Sequence, residues 1–346
     1  MKKILLAPLV LLALVISCKK TEAPLSEIET ETESVASGTV MRSCVAHEIL
    51  EEQLQQNPGM RARRQALEEA TQKFIQLKRK PTTPPDDGGG DAGGGSGGSA
   101  TLEIPVIVNV LYRTSTENIS DVQIQSQINV LNQDFTNTNA DGAQAPDEFQ
   151  DERASVQIKF RLAKINRQYS RNRSWSIATE EMKRASTGGI DPTDPANNLN
   201  IWIVNKMTYY GQTILGYAQF PGGPAATDGV VIGYNFFGNT GVLSAPYNKG
   251  RTATHEVGHW MNLYHIWGDA TCGDDLVGDT PKHNANNFGC PIYPHKSTCA
   301  GQPTEMTMNY MDYTNDACMY MFTTGQAERM RATFYVANAP RASFVN

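Results

Sequence analysis

Basic residues are in deficit in this chain: 30 Lys and Arg stand against 36 Asp and Glu, for a net charge of −6. A nucleic-acid-binding protein shows the opposite balance, because its affinity comes from neutralising phosphates. Long apolar runs are also missing. The longest, Ile4 to Ile16, falls short of the roughly 20 residues that a membrane-spanning helix needs. None of the six cysteines forms a paired Cys-x-x-Cys, so a second, thiolate-bound zinc has no support from spacing. The glycines around Gly88, Gly89 and Gly90 lack the Lys-Ser/Thr of a phosphate loop and a strand before them. Histidine is scarce as well, yet three of the six fall within eleven residues.

Those three lie in His255-Glu256-Val257-Gly258-His259-Trp260-Met261-Asn262-Leu263-Tyr264-His265. On a helix, His255 and His259 project from one face, a turn apart, and can bite one zinc ion. Glu256 stands beside them as a proton carrier. His265 follows too far on to share that face, so the helix must stop and the chain fold back under the metal. Asn262 stands at the reversal, and Asn is the non-glycine residue that most readily enters the left-handed region. A His-Glu-x-x-His match arises by chance in under about one per cent of chains this long, and a third imidazole lowers that further. The stretch is read as a zinc site. Three neutral imidazoles leave the fourth metal position open, which distinguishes a catalytic site from a closed structural one.

These residues, with the downstream Met308-Asn309-Tyr310-Met311-Asp312-Tyr313, resemble the metzincin metallopeptidases and, among them, the bacterial branch of the pappalysin family. The similarity runs from about Leu102 to the C-terminus; Asn262 replaces the usual Gly. The resemblance implies an α/β (α+β) catalytic domain, a twisted mixed sheet with two long helices and a zinc cleft between upper and lower subdomains. It implies a zinc-dependent endopeptidase in which Glu256 is the general base, Tyr313 binds the oxyanion and Met311 floors the imidazoles. Viewed alone, Met311 reads equally well as core packing and Tyr313 as a half-buried aromatic. The alternative function is a non-catalytic metal-binding surface lipoprotein with a degenerate peptidase fold; Glu256 argues against it, since a zinc store needs no base.

Further expectations follow from the resemblance. Three pairings of the four late cysteines are formally possible; the family implies Cys272 with Cys299 and Cys290 with Cys318. Cys44, in Met41-Arg42-Ser43-Cys44, is left unpaired, and its thiolate could occupy the fourth zinc position and silence a zymogen. A structural calcium is expected at Asp275, the carbonyl of Val277 and Thr280, with Asp274 or Asp279 adding charge; an acidic surface turn is the plainer reading. Asp316, beyond the Met-turn, is a candidate carboxylate for Arg or Lys in substrates, or merely a turn cap. Lys78, Arg79 and Lys80 would then be self-cleavage sites.

The start of the chain, Met1-Lys2-Lys3 followed by an apolar run and Ser17-Cys18, reads as a signal peptide over 1–17. Val15-Ile16-Ser17-Cys18 resembles a lipobox, which would make Cys18 the lipidated first residue of an envelope protein, an outward-facing outer-membrane lipoprotein, or, failing lipidation, a secreted one. Residues 18–40 read as a disordered tether. Residues 41–80 read as a helical prosegment, broken at Pro58-Gly59, with Ile49, Leu54, Met60, Leu67, Phe74 and Leu77 as its apolar stripe. Residues 81–100 form a Pro/Gly linker and 101–346 the peptidase domain. Its expected partners are protein or peptide substrates and a lipid membrane, with no nucleic acid.

Within that domain, strands are expected at Leu102–Leu111, Val156–Ile165, Leu199–Val204 and Gly229–Tyr234. A helix capped by Ser120 should bury Val122, Ile124, Ile128, Leu131 and Phe135; the zinc helix should begin near Lys249 and a last helix run from Gly325 to Phe334. His283 and His295 read as isolated loop histidines and not ligands, and the Asn-x-Ser matches at Asn118 and Asn172 as chance.

Overall fold

The computed structural model describes residues 42–79 and 101–345. The signal peptide, Cys18, the tether and the linker lie outside them. Among the described residues no helix is long and apolar enough to cross a membrane. The described residues begin with helices α1 (Ala46–Gln56) and α2 (Pro58–Arg79), then β1 (Leu102–Tyr112), α3 (Asp121–Phe135) and the short α4 (Asp147–Gln150). Strands β2 (Ile158–Tyr169), β3 (Trp175–Ser176), β4 (Leu199–Val204), β5 (Met207–Tyr209), β6 (Gln212–Ile214), β7 (Gly216–Ala218) and β8 (Val230–Gly233) follow. Helices α5 (Arg251–Trp260) and α6 (Thr324–Tyr335) complete the fold, separated by a long, disulfide-linked segment with little regular structure.

The main sheet has the order β2-β1-β4-β8-β7. Its first four strands are parallel, and β7 runs antiparallel to β8 at the edge. β1 and β4 lie in its middle and are buried almost continuously, as their Ile/Val-rich runs require of parallel strands covered on both faces. Helix α3 covers one face through Ile124, Ile128, Leu131 and Phe135, and Val257 and Trp260 of α5 join the same core. This is the mixed α/β architecture expected.

Three local expectations change. Val122 is 71 % exposed, because two residues along a helix amount to about 200° and it cannot share the face of Ile124. The strand expected from Val156 begins at Ile158, since Gln157 has φ +58° and turns the chain out of the ladder. In α2 the covered stripe is Met60, Arg64, Leu67, Thr71 and Ile75, while Leu77 is 70 % exposed. Those spacings of three and four keep one face, from whose centre Leu77 is rotated by about 120°.

Candidate active site

The zinc-motif helix α5 is held at both ends by distant residues. Its first N–H groups have no side-chain cap of their own; instead Asp316 Oδ2 accepts from the amides of Lys249 (2.8 Å) and Arg251 (3.2 Å). Arg251 pairs with Asp134 of α3, which also accepts from Thr254 (2.6 Å), so α3 fixes the rotation of α5. At the other end Asn262 has φ +78°, with Leu263 N donating to Gly258 O (3.0 Å) and Asn262 N to His259 O (2.9 Å). That bond pair is a Schellman motif with Asn in the position Gly usually takes. The reversal read from the sequence therefore occurs, and it carries His265 under the helix.

The three imidazoles meet there, fully buried. His259 Nε2 lies 3.1 Å from the Nε2 atoms of both His255 and His265. Each ring's other nitrogen faces an acceptor: His255 Nδ1 faces Tyr310 O (2.7 Å), His259 Nδ1 faces Leu263 O (2.7 Å) and His265 Nδ1 faces Asp269 Oδ1 (2.5 Å). A carbonyl only accepts, so Nδ1 of His255 and His259 must carry the proton and Nε2 a lone pair. Converging lone pairs repel unless a cation sits among them, and the donor set is one that zinc prefers. Burial, then the neighbouring rings, pushes His255 and His259 well below the usual imidazole range, which keeps them in the neutral form a metal needs. Trp267 stacks on His265 at 4.3 Å and holds its ring plane.

Around this centre lie Cys44, Glu256, Met311 and Tyr313. Cys44 Sγ and the three His nitrogens all fall within 4.8 Å of one another, a four-ligand set. Cys44 Sγ also lies 3.3 Å from Glu256 Oε2, and burial, followed by that carboxylate, drives the thiol pKa up. Burial pushes Glu256 up to about 8. Gly216 of the edge strand β7 lets the backbone pass close to Glu256, where a Cβ would stand 3.0 Å from Glu256 Cγ and crowd the carboxylate. Met311 Sδ would meet a Cβ on Gly258 at 2.6 Å, so the thioether packs against the bare backbone of α5. The Tyr313 hydroxyl donates to Cys44 O (2.8 Å) and accepts from Cys44 N (3.1 Å).

Asp316 does more than cap. Its Oδ1 pairs with Arg42 Nη2 at 2.5 Å, with the two side chains 2 % and 0 % exposed. The guanidinium lies 5.0 Å from the ring centre of Tyr247, whose hydroxyl accepts from Arg42 N at 2.6 Å. The segment Arg42–Cys44 thus crosses the cleft, with Arg42 in a buried acidic pocket and Cys44 among the imidazoles. Tyr247 and Asp269 were not singled out in the sequence.

The disulfides are Cys272–Cys299 and Cys290–Cys318, the crossed pairing the resemblance implied. Asp275, Val277 and Thr280 do converge: Thr280 Oγ1 lies 2.9 and 3.0 Å from the two Asp275 oxygens and 2.9 Å from Val277 O. Three acceptors crowd a hydroxyl with one proton, and this oxygen-rich set suits a hard cation. Burial pushes Asp275 up to about 7. Asp279, counted with these donors in the sequence, instead engages the start of α6, accepting from Thr323 Oγ1 (2.7 Å) and Gly325 N (2.6 Å). Asp274 is exposed beside Lys282 (3.3 Å).

His283 is not isolated: it is fully buried, 3.6 Å from Asp312 Oδ2 and 3.9 Å from Glu305 Oε2. Its Nε2 accepts from Met306 N (2.9 Å), so Nδ1 holds the proton and cannot bind a metal. His295 approaches Glu305 Oε2 at 3.6 Å.

Comparison with known proteins adds the following. Residues 190–335 match the peptidase M43 family, described as pregnancy-associated plasma protein-A. An extracellular metalloprotease of Trichophyton verrucosum is 33 % identical over 239 residues, covering 67 % of this chain and 77 % of the fungal protein. One from Colletotrichum graminicola is 36 % identical over 264 residues, covering 71 % and 82 %. Among solved structures, mature mirolysin of Tannerella forsythia with a cleaved peptide superposes with a TM-score of 0.68 at 43 % identity, covering 71 % of this chain and 96 % of that one. A promirolysin mutant from the same organism gives a TM-score of 0.73 at 38 % identity, covering 88 % and 97 %.

Proposed function

Because the chain belongs to the pappalysin (peptidase M43) family of metallopeptidases, we propose that it is a zinc endopeptidase made as a zymogen, with His255, His259 and His265 as the zinc ligands. The observation that carries this is the convergence of three imidazole Nε2 atoms, those of His255 and His259 left proton-free by the carbonyls facing Nδ1, beside a buried carboxylate. A zinc ion in that site supplies Lewis-acid polarisation and makes water acidic near neutrality. Glu256 takes the proton from the attacking water and passes it to the departing amine. Tyr313, once relieved of Cys44, offers its hydroxyl to the oxyanion. A neighbouring base is what a metal-storage protein would lack, so the non-catalytic alternative is the weaker one.

Latency comes from residues 41–80. Cys44 would serve as a further ligand to zinc beside the three histidines, a reading supported by its place within the His cluster. Arg42 on Asp316 supports the idea that the same pocket receives Arg or Lys of substrates, since a buried acid left without a partner rejects apolar side chains. Calcium at Asp275, Val277 O and Thr280 steadies the disulfide-linked segment. The protein is exported, as the names of its fungal relatives suggest for them, and held at the bacterial envelope through lipid on Cys18. The test is hydrolysis of a mixed peptide library by the activated protein. Cleavage that stops with a chelator and returns with zinc is expected; cleavage indifferent to the chelator would overturn the reading.

A further inference from the structure

Outside the cleft, α2 meets the catalytic body through two buried-side contacts one helical turn apart, Arg64 and Glu68, to which Arg63 adds bonds to Gly222 O (3.4 and 3.3 Å). Glu68 accepts from Arg329 Nη1 (2.8 Å) and Nη2 (2.6 Å). Arg329, on α6, is fully buried, and its Nε donates to Asn262 O (2.8 Å) while the guanidinium lies 5.3 Å from the Tyr264 ring centre. Its fork is therefore fixed by the body itself and aimed at α2. Arg64 reaches Asn262 Oδ1 (2.5 Å) and the Tyr264 hydroxyl (2.8 Å), and lies 5.1 Å from the Phe220 ring centre. Asn262 is gripped on its backbone by the body's arginine and on its side chain by the helix's, and its Nδ2 is buried without a partner.

We propose that this surface is a helix-docking site in its own right, fitted to a helix with Arg at one position and Glu four residues on, and that its occupant is the chain's own 58–79 segment, which stays bound there in trans after the linker is cut. The site is complementary in charge and in order: an anion-accepting fork beside a carbonyl-and-hydroxyl cradle for a cation, at the one-turn spacing of an i, i+4 pair. Its contacts are separate from those of Arg42 and Cys44, so the segment over the cleft and the docked helix hold independently. A cut between residues 79 and 101 severs the chain but touches neither. A two-chain complex that is cleaved and still latent is the consequence. The inference rests on reading residues 41–80 as a prosegment, but its test reads binding and needs no hydrolysis.

The test uses the full chain in a Glu256→Gln background, with a recognition sequence for a sequence-specific protease replacing residues 88–94. After cutting, gel filtration and native mass spectrometry report whether the N-terminal fragment stays with the body. It should co-elute, and should still do so in Arg42→Ala/Cys44→Ala. Arg64→Gln/Glu68→Gln should raise its dissociation constant at least about a hundredfold, since each change leaves a buried charge or acceptor unpaired. Gln65→Ala, on the exposed face of the same helix, should change nothing, and the body, once separated from its fragment, should have the same thermal midpoint whichever variant it came from. Release of the parent fragment on cutting, equal retention of Arg64→Gln/Glu68→Gln, or release by Arg42→Ala/Cys44→Ala alone would each overturn the proposal.

Discussion

Replacing Arg42 with Ala in the full chain should unseat the segment that crosses the cleft, Cys44 included, while leaving the three histidines in place. The pair it breaks is buried on both sides, with Nη2 and Oδ1 2.5 Å apart. Removing one partner of a buried ion pair costs about 3–5 kcal/mol, most of it from the charge left behind. Here the charge left behind is Asp316, whose other oxygen keeps the amides of Lys249 and Arg251 at the start of α5. That compensation places the cost at the low end, about 3 kcal/mol, including roughly 1 for the stacking on Tyr247. At about 1.4 kcal/mol per tenfold, the unseated state becomes about a hundredfold more populated. The readout is alkylation of Cys44, the one free cysteine among the described residues, followed in parallel with peptide hydrolysis. Alkylation should quicken about a hundredfold, with activity appearing earlier. Arg42→Lys, which keeps the charge but not the planar stack, should fall between. An Arg42→Ala protein as latent and as slowly alkylated as its parent would refute the reasoning.

Other expectations follow from particular residues. Asn262→Ala should lower stability by roughly 1–2 kcal/mol, because φ +78° strains an L side chain other than Asn, while Asn262→Gly should lose less; thermal melts that rank them the other way would count against the turn's role. Asp312 and His283 titrate in opposition. Burial raises Asp312 to about 7, so its contribution is present below pH 4 and lost as pH rises through about 7. Burial lowers His283 to about 4, so its contribution is present above about 6.5 and lost as pH falls through about 4. Between those limits the two oppose each other in the parent. Asp312→Asn should therefore gain stability with rising pH over that window and His283→Gln lose it, as denaturant midpoints would show. Removing calcium should lower the thermal midpoint without removing zinc, and Asp275→Asn should abolish the calcium dependence; a midpoint indifferent to calcium in the parent would rule the site out.

The histidine cluster was legible because its signals are local. His255 and His259 are related by helix geometry alone, and the need for a reversal at Asn262 follows from the spacing of His265. What the sequence hid lies between residues far apart in the chain. Tyr310 O, which sets the tautomer of His255, and Asp134, which orients α5, are 55 and 117 residues from their partners. Tyr247 has no motif to announce it, since its role depends on Arg42 arriving from 205 residues away. Asp279 was misread for a related reason: an acidic turn looks alike whether its carboxylates face a cation or the start of a helix. The crossed disulfides and the mixed sheet came through the family resemblance, not through spacing.

The central claim, that Glu256 is the general base of a zinc peptidase, is tested most directly by Glu256→Gln. Both forms are activated by the same exogenous protease, zinc is measured by elemental mass spectrometry, and kcat/KM is determined on one peptide. The account predicts one zinc per chain in each and a kcat/KM lowered at least about a hundredfold in the variant. Near-normal turnover by a zinc-loaded Glu256→Gln enzyme would contradict it.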